Sequence, residues 1–270
     1  MTVEVKKNGH VWTVIHNRPE ARNAMDPQSA DALTRAFLEF DADKTARVAV
    51  LYGEGGAFCA GWDLKYVSTL NADYPLGELD IPPAGPRGNG AEIPRGPLGP
   101  TRLELDKPVI AAIAGPAVAG GMELGLWCDF RVMQEDAYFG VYCRRWGVPL
   151  IDGGTVRLPR IVGQGRALEI ILTGRKVPAE ECLRIGLCEY VVPNGEVRAK
   201  AEAIAQEIAR FPPACVRVDR RSAIKSHGLA VRDALIQEWY NGREALIKDG
   251  VAGATRFKDG LGRHGDFGKI

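Results

Sequence analysis

The feature that most constrains the fold of this chain is a small-residue apolar run that ends in two glycines and continues as a helix-like pattern. It spans Ala111 to Asp129 and reads AAIAGPAVAGGMELGLWCD. The paired glycines are Gly120 and Gly121, and the apolar residues after them recur at helical spacing: Leu124, Leu126 and Trp127. The pattern predicts a strand, a tight turn and the start of a buried helix.

This turn also carries a carboxylate, Glu123. The N-terminus of a helix presents unpaired backbone N–H groups and a partial positive charge. Glycine lets another molecule approach the backbone closely, because it has no side chain. The stretch therefore offers donors for a developing oxyanion with an acid–base group beside them. The alternative is that Glu123 only complements the helix dipole.

A second segment of the chain repeats the same order. The strand-like run RVAVLY (47–52) leads into GEGGAFCAGWDLK, where a short helix is predicted to begin near Trp62 or Asp63. A dinucleotide-binding fingerprint is excluded, because Phe58 stands where its third glycine belongs. Two such strand-to-helix turns, placed side by side, can aim two backbone N–H groups at one carbonyl oxygen, as an oxyanion hole requires.

The remaining pattern predicts an α/β core followed by helices. Val3–Val5 and Val11–Ile15 read as a hairpin around Lys7-Asn8-Gly9, and Asp26 is a good N-cap for a helix that begins at Pro27. Further strands are predicted at 108–114, 130–133 and 137–140, and further helices at 152–162, 165–172 and 179–185. Four helical segments follow from residue 197. We therefore predict an α/β core over residues 1–195 and a helical region over residues 196–270.

The segment from residue 71 to residue 100 is rich in proline, glycine and charge. Long segments of this kind in a compact domain are either mobile surface loops or lids that gate a substrate. Both interpretations stay open from the sequence.

Composition argues against several classes of protein. The formal net charge of +1 disfavours nucleic acid as a partner, since phosphate-binding surfaces show a basic excess. No apolar run is long enough for a membrane span, and the N-terminus lacks the pattern of a secretory signal. The six cysteines form no C-x-x-C pair and the four histidines do not cluster, so we expect reduced thiols, a cytoplasmic location and no metal site.

Five segments, taken in order, resemble motifs of the crotonase superfamily, the enoyl-CoA hydratase/isomerase family. They are NRPEARNAM (17–25), AFCAGWDLK (57–65), AGPAVAGGMELGLWCDFRV (114–132), FGVYCRRWGVPLIDGGTVRLPRIVG (139–163) and TGRKVPAEECLRIGLCEYVVP (173–193). Each motif is weak alone, but five in the correct order, covering nearly the whole chain, are a specific signal.

The resemblance implies an α/β fold, a crotonase-like spiral of repeated ββα units with a helical C-terminal trimerisation region. It implies a homotrimer or a dimer of trimers. The expected substrate is an acyl-CoA thioester of the kind met in fatty acid metabolism, whose enolate the enzyme stabilises. No metal or redox cofactor is implied, because coenzyme A is part of the substrate.

Matching motif positions also imply site residues. The backbone N–H groups of Trp62 and Gly120 would form the oxyanion hole. Contacts to CoA would come from the first two motifs: Arg22, Ala60, Asp63, Leu64 and Lys65. Arg22 and Lys65 would meet phosphates, which suits the charge of CoA. Phe257 and Lys258 match a region that contacts the CoA of a neighbouring subunit, with ordinary helix packing as the alternative.

Glu123 falls on the first of the two catalytic glutamates of the hydratases, and the position of the second is Cys143. Hydration of an enoyl thioester uses two carboxylates, one to take a proton from water and one to deliver a proton to the α-carbon. A neutral thiol does not readily replace a carboxylate base. With no histidine nearby in sequence, Cys143 is predicted to line the substrate pocket rather than to act as a nucleophile.

Asp152 is the nearest spare carboxylate, and it lies in the loop that approaches the thioester α-carbon in this family. It either assists Glu123 or serves as the N-cap of the helix that begins at Gly153.

The first hypothesis from the sequence is an enoyl-CoA hydratase-type enzyme, a hydro-lyase. Enoyl-CoA isomerase or another crotonase chemistry is the enzymatic alternative. A non-catalytic acyl-CoA-binding protein is the alternative from a different class.

Overall fold

The structure is a computed structural model that describes residues 2–70, 79, 81 and 93–262. The chain divides into two compact units, residues 1–206 and residues 207–270. The boundary predicted near residue 195 lies inside the first unit. Most of the segment that was predicted as a loop or lid, residues 71–78, 80 and 82–92, lies outside the described residues.

The first unit is built on a six-stranded sheet in the order β1-β2-β3-β4-β6-β9. β1 and β2 form the predicted antiparallel hairpin, and the other neighbours in this sheet pair in parallel. The strands are β1 (Val3–Asn8), β2 (Val11–His16), β3 (Val48–Gly53), β4 (Val109–Ile113), β6 (Phe130–Gln134) and β9 (Tyr190–Val192). β4 is buried along its whole length, as a strand of a covered parallel sheet must be.

A second, three-stranded sheet has the order β5-β7-β8. Its strands are β5 (Pro116–Val118), β7 (Tyr138–Gly140) and β8 (Lys176–Pro178). The sequence predicts one strand over 108–114 that feeds directly into the glycine turn. That prediction missed β5: the chain bends at Gly115, which has a positive φ of 62°, and β5 then joins the other sheet. The turn before Glu123 is therefore reached from the smaller sheet.

Helices follow several of these strands along the chain, and the last of them follows β9 and ends at residue 209, three residues beyond the boundary of the first unit. They are α1 (Pro27–Ala42), α2 (Leu64–Val67), α3 (Gly120–Trp127), α4 (Gly154–Val162), α5 (Gln164–Thr173), α6 (Ala179–Arg184) and α7 (Val197–Ala209). The predicted cap of α1 is confirmed, because the Asp26 side chain accepts the Ser29 N–H. α2 begins at Leu64 with Asp63 as its N-cap, next to the predicted start near Trp62 or Asp63. α3 begins at Gly120, as predicted from the glycine pair.

The interpretation of Asp152 as a helix N-cap is wrong. α4 begins at Gly154, and its N-cap residue is Gly153, which has a φ of 95° and no side-chain cap. Glycine adopts this left-handed conformation without the cost that a side chain would add. The carboxylate of Asp152 is therefore left to make other contacts.

The second unit is helical. It contains α8 (Pro213–Lys225), α9 (Val231–Ala245), a π-helical turn (Leu246–Gly250) and α10 (Val251–Lys258). One side of α9 exposes an apolar group of side chains: Val231, Leu235, Ile236, Trp239 and Tyr240. The homotrimer or dimer of trimers stays a prediction.

Within the described ranges, no helix combines the length and the hydropathy that crossing a membrane requires.

Candidate active site

Two glycine turns lie side by side in the first unit. Cys59 and Ala117 form a parallel bridge, with the Val118 N–H donating to the Cys59 carbonyl at 3.0 Å. Trp62 follows Cys59 by three residues, and Gly120 follows Ala117 by three residues. Because the two segments run in parallel and in register, the pairing carries both turns to the same edge of the structure.

The absence of side chains lets the two turns pack closely. A Cβ atom added at Gly121 would lie 2.0 Å from the Cys59 carbonyl oxygen. A Cβ added at Gly61 would lie 2.8 Å from the Cβ of Ala119 and 3.0 Å from the Gly120 nitrogen. Real Cβ atoms essentially never approach other atoms to under 3.0 Å, so both positions require glycine. This explains the glycines that the sequence places in the two motifs.

The backbone amides of Trp62 and Gly120 lie in these turns. In the described part of the chain, residues next to them donate backbone hydrogen bonds. The Met25 N–H donates to the Gly61 carbonyl, the Asp63 N–H to the Met25 carbonyl, and the Met122 N–H to the Ala119 carbonyl. The N–H groups of Trp62 and Gly120 are not among these donors, and both residues line one pocket. Their use as donors to a ligand oxygen in that pocket stays a prediction.

Glu123 lies in the first turn of α3 and is only 2% exposed. Its Oε1 accepts the N–H of Gly154 at 2.8 Å and the N–H of Asp152 at 3.0 Å. Gly154 is the first residue of α4, so the carboxylate also faces the positive end of that helix. Both donors bind the same oxygen, which fixes the side chain.

The surroundings of Glu123 raise its pKa. Burial is the main cause, the nearby Asp152 carboxylate adds to it, and the two N–H donors and Arg157 oppose it, which leaves a pKa of about 7. A carboxyl group with a pKa near neutrality can both take and give a proton at neutral pH. Perturbed carboxyls in a cleft are typical of catalytic sites, although buried structural groups show them too.

Asp152 is also 2% exposed, and it lines the same pocket. Its Oδ1 accepts the Leu98 N–H at 3.1 Å and the hydroxyl of Thr101. Burial raises the pKa of Asp152, against the opposing effect of these two hydrogen bonds. Asp152 and Glu123 thus each use one carboxylate oxygen to accept two donors.

Sequence reasoning missed the residues that hold Asp152. Arg157 is half-buried and donates to the Asp152 carbonyl at 2.9 Å and to the Thr101 carbonyl at 2.7 Å. It therefore ties the loop before α4 to the turn at Pro100–Arg102. The contact with Thr101 spans 56 residues, so no local pattern reveals it. The only signal was the position of Arg157 five residues after Asp152, in the fourth motif.

Cys143 lies in a 3-10 turn (Tyr142–Trp146) and lines the pocket beside Glu123. Burial raises the pKa of its thiol, and the charge of Glu123 raises it further. Both effects favour the neutral thiol, which is a poor nucleophile.

One pocket brings together most of the residues that the resemblance implies. Its empty space, including the open mouth, is about 500 Å³. Seven predicted residues are among those that line it: Ala60, Trp62, Leu64, Gly120, Glu123, Cys143 and Asp152. The pocket also has lining residues that were not predicted: Leu98, Ala119, Tyr142, Trp146, Val148, Pro149 and Ile151.

The other residues that the resemblance implies as CoA contacts do not line this pocket within the described part of the chain. Arg22 and Lys65 are exposed, and neither they nor Asp63 is among the described lining residues. The carboxylate of Asp63 is engaged by the Arg18 guanidinium at 2.8 Å as well as by the start of α2. Phe257 and Lys258 lie at the end of α10 in the second unit, so their role stays a prediction.

Over the described residues, no group of three or more His, Cys, Asp or Glu side chains is arranged to hold a metal ion.

Comparison with known proteins agrees with this geometry. The sequence model of a family described as "Enoyl-CoA hydratase/isomerase" matches residues 6–76 and 101–242, which is most of the chain. The chain belongs to the enoyl-CoA hydratase/isomerase family. Both glycine turns and both pocket carboxylates of this family member fall within the matched residues.

Relatives of this enoyl-CoA hydratase/isomerase family member match along nearly the whole chain. It is 33% identical to the enoyl-CoA hydratase EchA19 of Mycobacterium tuberculosis over 252 residues, 91% of this chain and 88% of the relative. It is 34% identical to the carnitinyl-CoA dehydratase of Salmonella typhi over 251 residues, 93% of this chain and 87% of that protein.

Solved structures of the family share the fold. The enoyl-CoA hydratase EchA1 of Mycobacterium marinum superposes with a TM-score of 0.83 at 30% identity, over 96% of each chain. An enoyl-CoA hydratase of Bacillus anthracis gives 0.83 at 32% identity, again over 96% of each chain. The predicted crotonase-like α/β fold is thereby confirmed.

The buried Glu123 predicts a pH-dependent stability. The ordinary pKa of this carboxyl is 4.5 and the folded protein raises it to about 7, so the folded state binds more protons between these values. Stability therefore falls as pH rises from about 4.5 to about 7, by up to about 3 kcal/mol from this group. Glutamine at position 123 does not titrate. Relative to the wild type, Glu123→Gln should gain about 2–3 kcal/mol in its free energy of unfolding between pH 5 and pH 8.

Urea denaturation of the two proteins at several pH values measures this difference. Subtracting the two curves removes the contributions of other titrating groups that the substitution leaves unchanged. A difference that does not vary with pH would show that the pKa of Glu123 is not raised by folding.

Proposed function

We propose that this protein is an enoyl-CoA hydratase-type hydro-lyase that acts on acyl-CoA thioesters. The observation that carries the proposal is the pocket in which two carboxylates, Glu123 and Asp152, lie beside the two glycine turns. The family match and the names of relatives, which include an enoyl-CoA hydratase and a carnitinyl-CoA dehydratase, support this class of reaction.

In the proposed reaction, the thioester carbonyl oxygen accepts hydrogen bonds from the N–H groups of Trp62 and Gly120. These donors stabilise the negative charge that the oxygen gains when water adds to the β-carbon. Such donors are preorganised, because the packing of the turns fixes their backbone. Removing one donor of this kind typically costs about 100-fold to 1,000-fold in rate.

Two proton transfers complete the addition. Glu123 takes a proton from the attacking water as its oxygen bonds to the β-carbon. The α-carbon receives a proton from Asp152, and the enolate collapses to the 3-hydroxyacyl thioester. Burial raises the pKa of Glu123 to about 7, so this group can take or release a proton near neutral pH. Burial also raises the pKa of Asp152, which favours the protonated form that donates to the α-carbon. The reverse sequence is a dehydration.

The second candidate reaction is isomerisation of an enoyl-CoA double bond. Cys143 lies at the position where the resemblance implies the second hydratase glutamate, which favours this reaction, because an isomerase can move one proton between two carbons with a single carboxylate. A protein that binds acyl-CoA without turnover is the candidate from another class.

The substitution Asp152→Asn tests the two-carboxylate assignment. Asparagine keeps an oxygen that can accept the Leu98 and Thr101 donors, so the loop should hold its conformation while the ionisable group is lost. We expect hydration of crotonyl-CoA to fall about 100-fold or more, the range for removal of a general acid–base group. Asp233→Asn, at the start of α9, is the matched surface control.

Hydration of crotonyl-CoA and isomerisation of 3-hexenoyl-CoA should be measured on each protein. Full hydratase activity in Asp152→Asn would remove Asp152 from the mechanism. If only isomerisation is found in the wild type, the second candidate replaces the first. Tight acyl-CoA binding without turnover of either compound would establish the non-catalytic alternative.

A further inference from the structure

The rim of the pocket exposes large apolar side chains. Trp146 is 69% exposed, Ile151 is 43% exposed and Leu64 is 40% exposed, and all three line the pocket that contains Glu123. Exposed apolar groups clustered around a cleft are typical of a ligand-binding surface.

Most of this apolar rim lies on one segment, residues 142–151. Leu64 belongs to the motif that the resemblance assigns to CoA, whereas Trp146, Val148 and Ile151 follow Cys143 on another segment. A thioester held at the glycine turns would place its acyl group beside Glu123 and Asp152. The distal part of that acyl group would then contact the surface formed by residues 142–151.

This segment is held in place by the body of the unit. Arg144 donates from Nε to the Ile171 carbonyl at 2.7 Å, and the Val148 N–H donates to the Cys143 carbonyl at 3.2 Å. Gly147 adopts a positive φ of 72°, which turns the chain directly after Trp146. A ring on such a segment binds a ligand at a smaller entropic cost than a ring on a mobile loop.

The charges of the pocket limit the acyl group further. Among the described lining residues, only Glu123 and Asp152 carry a carboxyl group and none is Lys or Arg. An acyl group that ends in a carboxylate would be repelled by ionised Glu123 or Asp152.

One aromatic ring of the pocket is already in contact with a cation. Arg145 already lies over the ring of Tyr142, with its guanidinium carbon 4.0 Å from the ring centroid. This ring face is therefore not open to a quaternary ammonium group.

We infer that the pocket selects an apolar acyl group longer than butanoyl, whose distal end packs against Trp146 and Ile151. This inference rests on the proposed function, because it assumes that the ligand is an acyl-CoA thioester. It names the class of acyl group that the same site accepts.

Binding of saturated acyl-CoAs to the wild-type protein tests the inference without turnover. Isothermal titration calorimetry should compare butanoyl-CoA, octanoyl-CoA, 3-phenylpropanoyl-CoA and glutaryl-CoA. We expect octanoyl-CoA and 3-phenylpropanoyl-CoA to bind about tenfold or more tightly than butanoyl-CoA, since each methylene that is buried contributes up to about fourfold. Glutaryl-CoA should bind more weakly than butanoyl-CoA.

The substitution Trp146→Ala tests whether the gain in affinity with chain length comes from contact with Trp146. It should weaken octanoyl-CoA about tenfold and leave butanoyl-CoA within twofold, because only the longer chain reaches the rim. Leu38→Ala, which truncates an exposed apolar side chain on α1 away from the pocket, should change neither value.

The outcomes separate this inference from the proposed function. Binding that does not depend on chain length, or equal losses for both ligands in Trp146→Ala, would overturn the inference and leave the function standing. Preference for glutaryl-CoA, or for an acyl-CoA with a terminal trimethylammonium group, would also overturn it. If no acyl-CoA binds, the proposed function fails as well.

Discussion

Glu123→Gln should abolish most of the turnover while leaving the fold and the affinity for acyl-CoA nearly unchanged. A positioned acid–base group contributes about 100-fold to 10,000-fold in rate, and the proposed reaction uses Glu123 at the water molecule. Glutamine has nearly the same shape, and its carbonyl oxygen can still accept the N–H groups of Asp152 and Gly154. The substitution therefore removes the ionisable group and little else.

The measurement is the hydration rate of crotonyl-CoA, together with the dissociation constant of butanoyl-CoA. Glu39→Gln, on the exposed side of α1, is the matched control and should behave as the wild type. A rate within threefold of the wild type in Glu123→Gln would contradict the proposed role. A lost affinity with a normal unfolding transition would instead assign Glu123 to binding.

A second substitution separates the effect of the Glu123 carboxyl group from the effect of the side-chain length. Glu123→Asp keeps a carboxyl group but shortens the side chain by one methylene, so the carboxylate is drawn away from the start of α4. We expect a loss of turnover here too, because acid–base catalysis requires hydrogen-bond distance to the reacting proton.

Much of the fold could be predicted because its signals are local. The hairpin at β1 and β2, the cap at Asp26 and the start of α3 at the glycine pair each depend on a few adjacent residues. The missed strand β5 has only three residues, and its identity depends on pairing with β7. Propensity over so short a run cannot separate a strand from the turn that follows it.

In the pocket, too, local features could be predicted from the sequence and contacts between distant segments could not. The glycines of both turns were visible in the sequence, but the bridge between Cys59 and Ala117 that brings the turns together was not. The interpretation of Asp152 as an N-cap was locally reasonable, since aspartate is a favoured capping residue. It was wrong because Gly153 takes the cap position and because donors at Leu98 and Thr101 bind the carboxylate. Those donors come from a distant segment.

Gly61→Ala should damage both the stability of the protein and its turnover. Gly61 has a φ of 91°, and an added Cβ would lie 2.8 Å from the Ala119 Cβ and 3.0 Å from the Gly120 nitrogen. The strained φ alone costs about 1–2 kcal/mol, and the clash adds a cost typical of overpacking, about 1–3 kcal/mol. To relieve the clash, the turn that carries Trp62 must move away from the turn that carries Gly120.

The expected loss of turnover follows from the proposed oxyanion hole. If the two amides no longer converge on one oxygen, the stabilisation supplied by one donor is lost, and the hydration rate should fall about 100-fold or more. Gly56→Ala is the matched control: Gly56 has a φ of 82°, but an added Cβ would have no atom within 4 Å. It should therefore show the cost of the strained φ without the loss of turnover.

Chemical denaturation and crotonyl-CoA kinetics on the two variants separate the effects. The difference in stability between Gly61→Ala and Gly56→Ala measures the clash, because both variants carry a similar backbone strain. A Gly61→Ala protein that is destabilised but keeps its turnover number would show that the packing of the turns does not position the two amides. The oxyanion hole would then have to be sought elsewhere in the pocket.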